Sequence, residues 1–123
     1  MKKSKSQTNF VNKIQDGIKI KVYIEGHMIG AGKMELFHLT YQKGSIRAAA
    51  KCMGMSEKKA GFLLKTLEDI FSNPILEKKG GSLGTNLTPF GKELLENYLK
   101  LNDKLSIETM DFINWVKTKK SSK

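Results

Sequence analysis

The segment from Gly44 to Phe71 constrains the fold of this chain more than any other part of it. Its first half has a serine, Ser45, followed by apolar residues at helical spacing: Ile46, Ala49, Ala50 and Met53. A serine in this place predicts a helix start, because its hydroxyl accepts a hydrogen bond from an amide of the first turn. Gly54 predicts the helix end, since glycine adopts the left-handed conformation that closes many helices. The first half is therefore expected to be a short helix.

The second half of the segment repeats this pattern over a longer stretch. Ser56 is a second N-cap, and apolar residues follow it at helical spacing: Ala60, Leu63, Leu64, Leu67, Ile70 and Phe71. The opposite face carries Lys58, Lys59, Phe62, Lys65, Thr66 and Asp69. This is the helix–turn–helix pattern, in which the second helix enters the DNA major groove with its N-terminus first. A plain helical hairpin without a nucleic acid partner is the alternative interpretation.

The charge of the chain favours a polyanionic partner. Its 123 residues include 22 lysines and arginines against 12 aspartates and glutamates, which gives a formal charge of +10. A field of that sign attracts nucleic acid first and anionic membrane second. Arg47 is the single arginine. Guanine contacts of the commonest type are therefore scarce, and lysine is better suited to phosphate.

Length, cysteine use and hydropathy narrow the class of protein. The length suits one domain. No run of about eighteen apolar residues is present, so we expect no membrane span, and the basic N-terminus lacks the apolar stretch of a secretory signal. Cys52 is the single cysteine, so no internal disulfide is expected, which fits a reducing compartment. The expected location is the cytoplasm.

The N-terminal part of the chain predicts an arm, a strand and a helix. Residues 1–13 are polar and basic, and we expect a disordered arm there. Ile18 to Glu25 alternates apolar and polar residues, which predicts a half-buried strand. Residues 26–32 predict a turn or a short returning strand. A helix is predicted from Lys33 to Lys43, with three residues on one face: Met34, Phe37 and Tyr41.

A glycine-rich hairpin follows the two helices. Pro74 prevents the second helix from continuing, and Ile75 to Lys79 predicts a short strand. Residues 80–86 are rich in glycine, and Leu87 starts a brief return. In this position such a hairpin is the wing of a winged helix domain, whose amides and lysines (Lys78 and Lys79) contact phosphates or the minor groove. An ordinary turn is the alternative. The DNA-binding domain is expected to cover residues 14–87.

The remainder of the chain predicts one long helix over residues 88–117. Thr88 supplies the N-cap and Pro89 the first helical position, which together predict a helix start. Apolar residues then recur at alternating steps of four and three: Leu94, Tyr98, Leu101, Leu105, Phe112 and Trp115. A seam of about 40 Å is longer than a small domain covers by itself, so we expect a dimerisation helix. A helix folded back on its own core is the alternative. Residues 118–123 form a basic tail.

Several segments resemble the N-terminal DNA-binding domain of the ModE family of molybdate-responsive regulators: GSIRAAAKCMGMSEKKA, LLKTLEDIF, ILEKK and LTPFG. The segments IKIKVYIEG and GKMELF resemble the one-domain members of that family. A further set of positions is similar to LysR-type regulators, whose DNA-binding domain is related: Ser56, Ala60, Leu64, Leu67, Glu68, Leu76, Glu77, Leu87 and Thr88. The resemblance implies a winged helix that dimerises through the helix after the wing and binds palindromic operator DNA.

The chain departs from the ModE pattern in several places. Gly61 stands where the ModE group usually has an aromatic residue, and Phe62 replaces a polar one. The wing is short. The sequence has no room for molybdate-binding modules, so molybdate sensing is not expected, and neither is the effector domain of LysR-type regulators.

The sequence lacks the signatures of an enzyme, a metal site or a cofactor site. Residues 30–33 suggest a phosphate loop, but the required upstream glycine and downstream hydroxyl are replaced by His27 and Met34. His27 and His38 have no cysteine or carboxylate at ligand spacing. No nucleophile–base arrangement is suggested. We therefore expect no catalytic residues, no metal and no cofactor.

The sequence thus predicts a mostly α fold with small β elements (α+β), a winged helix–turn–helix with an N-terminal strand or hairpin and a long C-terminal dimerisation helix. Its expected function is that of a dimeric, sequence-specific transcriptional regulator acting on double-stranded DNA. The predicted DNA contacts are Ser45, Arg47, Lys51, Ser56, Glu57, Lys58, Lys59, Phe62, Lys65, Thr66, Lys78 and Lys79. A non-specific or architectural DNA-binding protein is one alternative, and a protein-interaction module without DNA binding is the other.

Overall fold

The computed structural model describes residues 15–78 and 84–120. Within them the chain forms two β-hairpins and four helices: β1 (Lys21–Ile24), β2 (His27–Gly30), α1 (Ala31–Lys43), α2 (Ile46–Cys52), α3 (Glu57–Glu68), β3 (Leu76–Lys78), β4 (Thr85–Leu87) and α4 (Pro89–Lys119). Each hairpin is an antiparallel two-stranded sheet. The expected basic arm at 1–13, residues 79–83 of the expected strand and glycine-rich turn, and the last three residues lie outside the described part of the chain.

The first hairpin is shorter than the sequence predicts. The alternation from Ile18 onward is present, because Ile20 is buried between exposed neighbours. Strand pairing, however, begins only at Lys21, which lies opposite Gly30. The reason is that β2 ends where α1 begins, so residues 18–20 have no strand beside them. The return strand at His27–Gly30 confirms one of the two structures expected there.

Helix α1 is the central element of the core. It is buried from Met34 to Thr40, because it contacts α2, α3, β4 and α4 as well as β2. The Thr40 hydroxyl donates to the Leu36 carbonyl at 2.8 Å, so the polar group is satisfied inside the core. Met34 and Phe37 are buried as expected, but Tyr41 is 47% exposed and does not belong to that face. It lies in the last turn, beyond the segment that its neighbours cover.

Helices α2 and α3 confirm the helix–turn–helix pattern. Ala49 and Ala50 of α2 and Ala60, Leu64 and Leu67 of α3 are buried, so the small residues lie where the helices meet. Gly54 adopts φ +69° between the two helices, a conformation that glycine accepts at no steric cost. Helix α3 ends at Glu68, earlier than its apolar pattern suggests. Ile70 and Phe71 follow the helix and still pack against the core.

The second hairpin lies directly after this unit. Strand β3 pairs with β4 in the register Leu76 opposite Leu87 and Lys78 opposite Thr85. Leu87 is buried and Leu76 packs partly against the core, whereas Lys78 is exposed. The order of helices and hairpin is that of a winged helix–turn–helix, so the structure confirms the expected α+β fold class.

Helix α4 extends well beyond the core. It runs from Pro89 to Lys119, two residues past the predicted end, and the Thr88 hydroxyl accepts a hydrogen bond from Gly91 N at 3.0 Å. Gly91 and Leu95 are its buried residues. Its side chains after Leu99 do not belong to the hydrophobic core. Despite its length, α4 is too polar to cross a membrane, and no other helix in the described residues has the length and hydropathy to do so.

Candidate nucleic-acid interface

Helix α3 separates a buried apolar face from an exposed polar one. Ala60, Leu64 and Leu67 face the core, whereas the lysines of the opposite face are exposed: Lys58, Lys59 and Lys65. Phe62 is 66% exposed, so it belongs to the outer face and not to the core. The amphipathic pattern therefore placed its residues on the correct sides of the helix.

The exposed face of α3 and the wing share one groove. Five residues line it: Ile46 at the start of α2, Glu57, Lys58 and Gly61 of α3, and Lys78 of β3. Two lysines from separate elements, Lys58 and Lys78, therefore lie on the same surface. Such a positively charged groove suits the phosphates of a nucleic acid.

Hydrogen bonds fix the base of the wing against the helices. The Glu68 carboxylate at the end of α3 accepts from Ile75 N at 2.8 Å and from Leu76 N at 3.3 Å. The Thr88 hydroxyl donates to the Pro74 carbonyl at 2.7 Å. On the other strand, Thr85 N donates to the Gly44 carbonyl at 2.9 Å. The position of Lys78 relative to α3 is therefore set by bonds on both strands. No local sequence pattern predicts this role of Glu68.

Two of the predicted contact residues cap the helices. The Ser45 hydroxyl accepts from Ala48 N at 3.0 Å, and the Ser56 hydroxyl accepts from Lys59 N at 3.1 Å. Both capping predictions are therefore confirmed. Ser56 is exposed and stands at the N-terminus of α3, where the remaining free amides and the helix dipole favour an anion.

The other predicted contact residues differ in their surroundings. Arg47 and Lys51 of α2 and Glu57 of α3 are exposed. Lys65 forms an ion pair with Asp69 at 3.2 Å, and both side chains remain mostly exposed. The Thr66 hydroxyl is half-buried and donates to the Leu63 carbonyl at 2.7 Å, so its proton is already used. Lys79 lies outside the described residues.

Comparison with known families agrees with this geometry. Residues 32–92 match the family model of bacterial regulatory helix-turn-helix proteins of the LysR family. The match begins in α1, includes both helices and the wing, and ends in the first turn of α4. Residues 32–92 are a LysR-type DNA-binding domain. A comparison with curated proteins gave no match.

The LysR-type domain is that of a DNA-binding transcription regulator. It contains every predicted DNA contact, from Ser45 to Lys79. The match supports the similarity to LysR-type regulators that the sequence shows. It does not confirm the narrower resemblance to the ModE group.

The predicted dimerisation residues of α4 fall into two groups. Leu94 and Tyr98 pack against the core of the LysR-type domain in the same chain. The other four are exposed: Leu101, Leu105, Phe112 and Trp115. Phe112 and Trp115 stack with ring centroids 6.3 Å apart. The predicted seam does not include three further exposed apolar residues of α4, because they fall outside a strict alternation of four and three: Ile107, Met110 and Val116.

Three titratable groups of α1 and α4 are buried or half-buried: Glu35, His38 and Tyr98. Glu35 of α1 is 5% exposed, and one of its carboxylate oxygens, Oε2, has no hydrogen-bond partner within the described part of the chain. Burial raises the pKa of Glu35 from 4.5 to about 8. Burial lowers the pKa of His38 on the same helix. The pKa of Tyr98 on α4 is raised by its burial and by the negative charge of Glu35. None of these three groups is among the predicted DNA contacts.

No three histidine, cysteine, aspartate or glutamate side chains in residues 15–78 and 84–120 lie close enough together to hold a metal ion. The site is therefore built from lysines, capped helix ends and a hairpin. Groups of these kinds make phosphate contacts in protein–DNA complexes.

Proposed function

We propose that this protein is a dimeric, sequence-specific transcriptional regulator that acts on operator DNA. The groove that Lys58 of α3 shares with Lys78 of the wing is the observation that carries the proposal. It supports a single surface on which a duplex contacts the recognition helix and the wing together. The LysR-type domain at residues 32–92 supports the same assignment.

In this proposal α3 enters the major groove with Ser56 foremost. Lys58, Lys59 and Lys65 face the duplex, and the exposed ring of Phe62 packs on a thymine methyl group. The ion pair of Lys65 with Asp69 is exposed and therefore worth at most about 1 kcal/mol, so a phosphate readily replaces the carboxylate. Two groups of side chains contact the flanking backbone: Arg47 and Lys51 from α2, and Lys78 and Lys79 from the wing. Ser45, Glu57 and Thr66 complete the proposed contact set.

The exposed part of α4 is proposed to pair with the same part of a second copy. Beyond Leu99 no side chain of the helix belongs to the hydrophobic core of the described residues, and Lys117 near its end forms an ion pair with Asp16 at 2.6 Å. A helix of about twenty residues outside a hydrophobic core is only marginally stable in water, because the stability of helices in proteins comes mostly from tertiary packing. Leu101, Leu105, Phe112 and Trp115 supply the apolar surface for that packing. A dimer would present two α3 helices to the two half-sites of a palindromic operator.

The narrower resemblance to the ModE group remains a prediction within this proposal. It implies neither molybdate binding nor another effector for this chain. The absence of catalytic chemistry is likewise proposed, because DNA-binding regulators of this class act by occupancy of DNA.

Selection of bound fragments from random DNA tests the proposal most directly. We expect one enriched palindromic site, bound about 10³-fold or more tightly than random sequence. Enrichment without a shared motif would favour the architectural alternative. No retention of any DNA at low salt would contradict the proposal and favour a protein-interaction module.

Lysine substitutions test the assignment of the binding face. Lys58→Ala and Lys65→Ala are each expected to weaken binding and to reduce the slope of log K against log salt concentration by about one. Lys100→Ala removes an exposed lysine from α4 and serves as the matched control. Unchanged affinity and slope in both α3 variants would place the duplex elsewhere on the protein.

Sedimentation equilibrium tests the dimer. Leu105→Ser is expected to shift the wild-type dimer toward monomer, because it removes an apolar side chain from the proposed interface. Lys104→Ser is the control at the neighbouring, exposed position. A wild-type protein that sediments as a monomer at all concentrations would refute this part of the proposal.

A further inference from the structure

Gly61 lies in the interior of α3, where glycine is unfavourable. Glycine in a helix interior is less stable than alanine by about 1 kcal/mol, because it loses more backbone freedom on folding. A β-carbon built at Gly61 would meet no atom of residues 15–78 and 84–120 within 4 Å. The surrounding fold as described therefore does not require the glycine.

At two other positions of this protein the fold itself requires glycine. A β-carbon at Gly91 would lie 2.2 Å from the Ile75 carbonyl oxygen, and one at Gly84 would lie 2.3 Å from the Gly44 carbonyl oxygen. Gly84 also has a φ of +88°. Those two positions exclude side chains because of backbone inside the fold. Gly61 has neither a close neighbour nor a left-handed backbone.

The space above Gly61 belongs to the groove between α3 and the wing. Lys58 lies one turn before Gly61 on the same side of α3, and Lys78 faces the groove from β3. Among the described residues of the lining, Glu57 at the N-terminal end of α3 is the single acidic one, so with Lys58 and Lys78 they carry a net positive charge. Ile46 closes the side toward α2. A strand of linked phosphates matches both the charge and the open shape of this groove.

We propose that Gly61 is the point where DNA approaches the α3 backbone most closely, with one sugar–phosphate strand of the duplex lying in the groove between Lys58 and Lys78. Glycine is used where a backbone must come close to a ligand, since a side chain would fill that space. The inference rests on the proposed function, because it specifies which part of the DNA the groove receives.

Substitution at Gly61 should move stability and DNA affinity in opposite directions. Gly61→Ala is expected to raise Tm by about 4 °C, because it adds helix propensity without a clash. It is expected to weaken binding of a duplex selected by the wild-type protein by about tenfold. Gly61→Leu has a larger side chain and should weaken binding further. It should also reduce the salt slope by about one or two, because the phosphates are displaced from Lys58 and Lys78.

Gly32→Ala is the matched control. Gly32 lies in the first turn of α1, outside the groove, and a β-carbon there also meets no atom within 4 Å. Its DNA affinity and salt slope should equal those of the wild type. Both Gly61 variants are compared with it at the same protein concentration, with circular dichroism to verify folding.

The possible outcomes separate this inference from the function on which it rests. Wild-type protein that binds no duplex overturns both. Wild-type binding with unchanged affinity in Gly61→Ala and Gly61→Leu overturns the inference alone. A lower Tm for Gly61→Ala also overturns it, because the fold would then require the glycine. Weaker binding at an unchanged salt slope overturns the assignment of a phosphate strand, since a base edge would then occupy the groove.

Discussion

The buried acid Glu35 should make the stability of this protein depend on pH in a direction opposite to that of most carboxylates. Its pKa is raised from 4.5 to about 8 because its carboxyl group is buried in the fold. The folded state therefore holds a proton that the unfolded state releases above pH 4.5. The free energy of unfolding falls as pH rises from about 4.5 to about 8, and the loss is complete above the folded-state pKa.

The size of this effect follows from the two pKa values. A tenfold change in proton affinity corresponds to about 1.4 kcal/mol, so the change from 4.5 to about 8 corresponds to at most about 5 kcal/mol. Of this, about 4 kcal/mol falls between pH 5 and pH 9. Glu35→Gln is neutral at every pH and removes the term. The stability of the variant minus that of the wild type should therefore increase with pH by up to that amount.

Urea denaturation followed by circular dichroism at several pH values between 5 and 9 measures this difference. Glu96→Gln, on the exposed side of α4, is the control and should reproduce the wild-type pH profile. His38 also titrates while buried, and its lowered pKa reduces stability as pH falls below about 6.5. That contribution is present in both proteins and cancels in the difference. Parallel curves for wild type and Glu35→Gln would refute the interpretation of Glu35 as a buried neutral acid.

Three further substitutions test the contacts that position the wing and α3. Glu68→Ala should lower the free energy of unfolding by about 2 kcal/mol and weaken DNA binding, because Ile75 N and Leu76 N lose their acceptor. Urea titration with Glu96→Ala as control measures the loss of stability, and an unchanged urea midpoint would contradict the prediction. Gly91→Ala should lower the free energy of unfolding by about 2 kcal/mol, because the added methyl group clashes with Ile75. Gly32→Ala, at a site with open space, is the control, and equal urea midpoints for the two variants would exclude the clash. Ser56→Ala should lower stability by about 1 kcal/mol through loss of the N-cap on α3, which thermal unfolding would detect.

Features that depend on neighbouring residues were predictable from the sequence. A capping serine and the amide that it binds are three residues apart, and so are Thr88 and Gly91. The two faces of α3 follow from the helical period alone, which is why Phe62 could be grouped with the lysines. The hairpin after α3 was predictable because its glycines and its place in the chain are both visible in the sequence.

Features that depend on distant residues were not predictable in this way. Strand β1 begins at Lys21 and not at Ile18, because its length is set by β2 and by the start of α1. Glu35 and His38 are polar residues of a helix that is covered on several sides, and no local pattern predicts that enclosure. Glu68 binds amides seven and eight residues further along the chain.

Glu35 and Gly61 both contradict local preference, and their surroundings determine how each should be tested. A carboxyl group enclosed between α1 and α4 affects folding directly, so its cost appears as a pH-dependent loss of stability within the chain. A glycine with open space above it has no compensating contact in the described fold. In the inference proposed above, its compensation comes from the DNA strand that occupies the space, and a binding measurement detects that. Denaturation therefore decides the role of Glu35, whereas DNA affinity decides the role of Gly61.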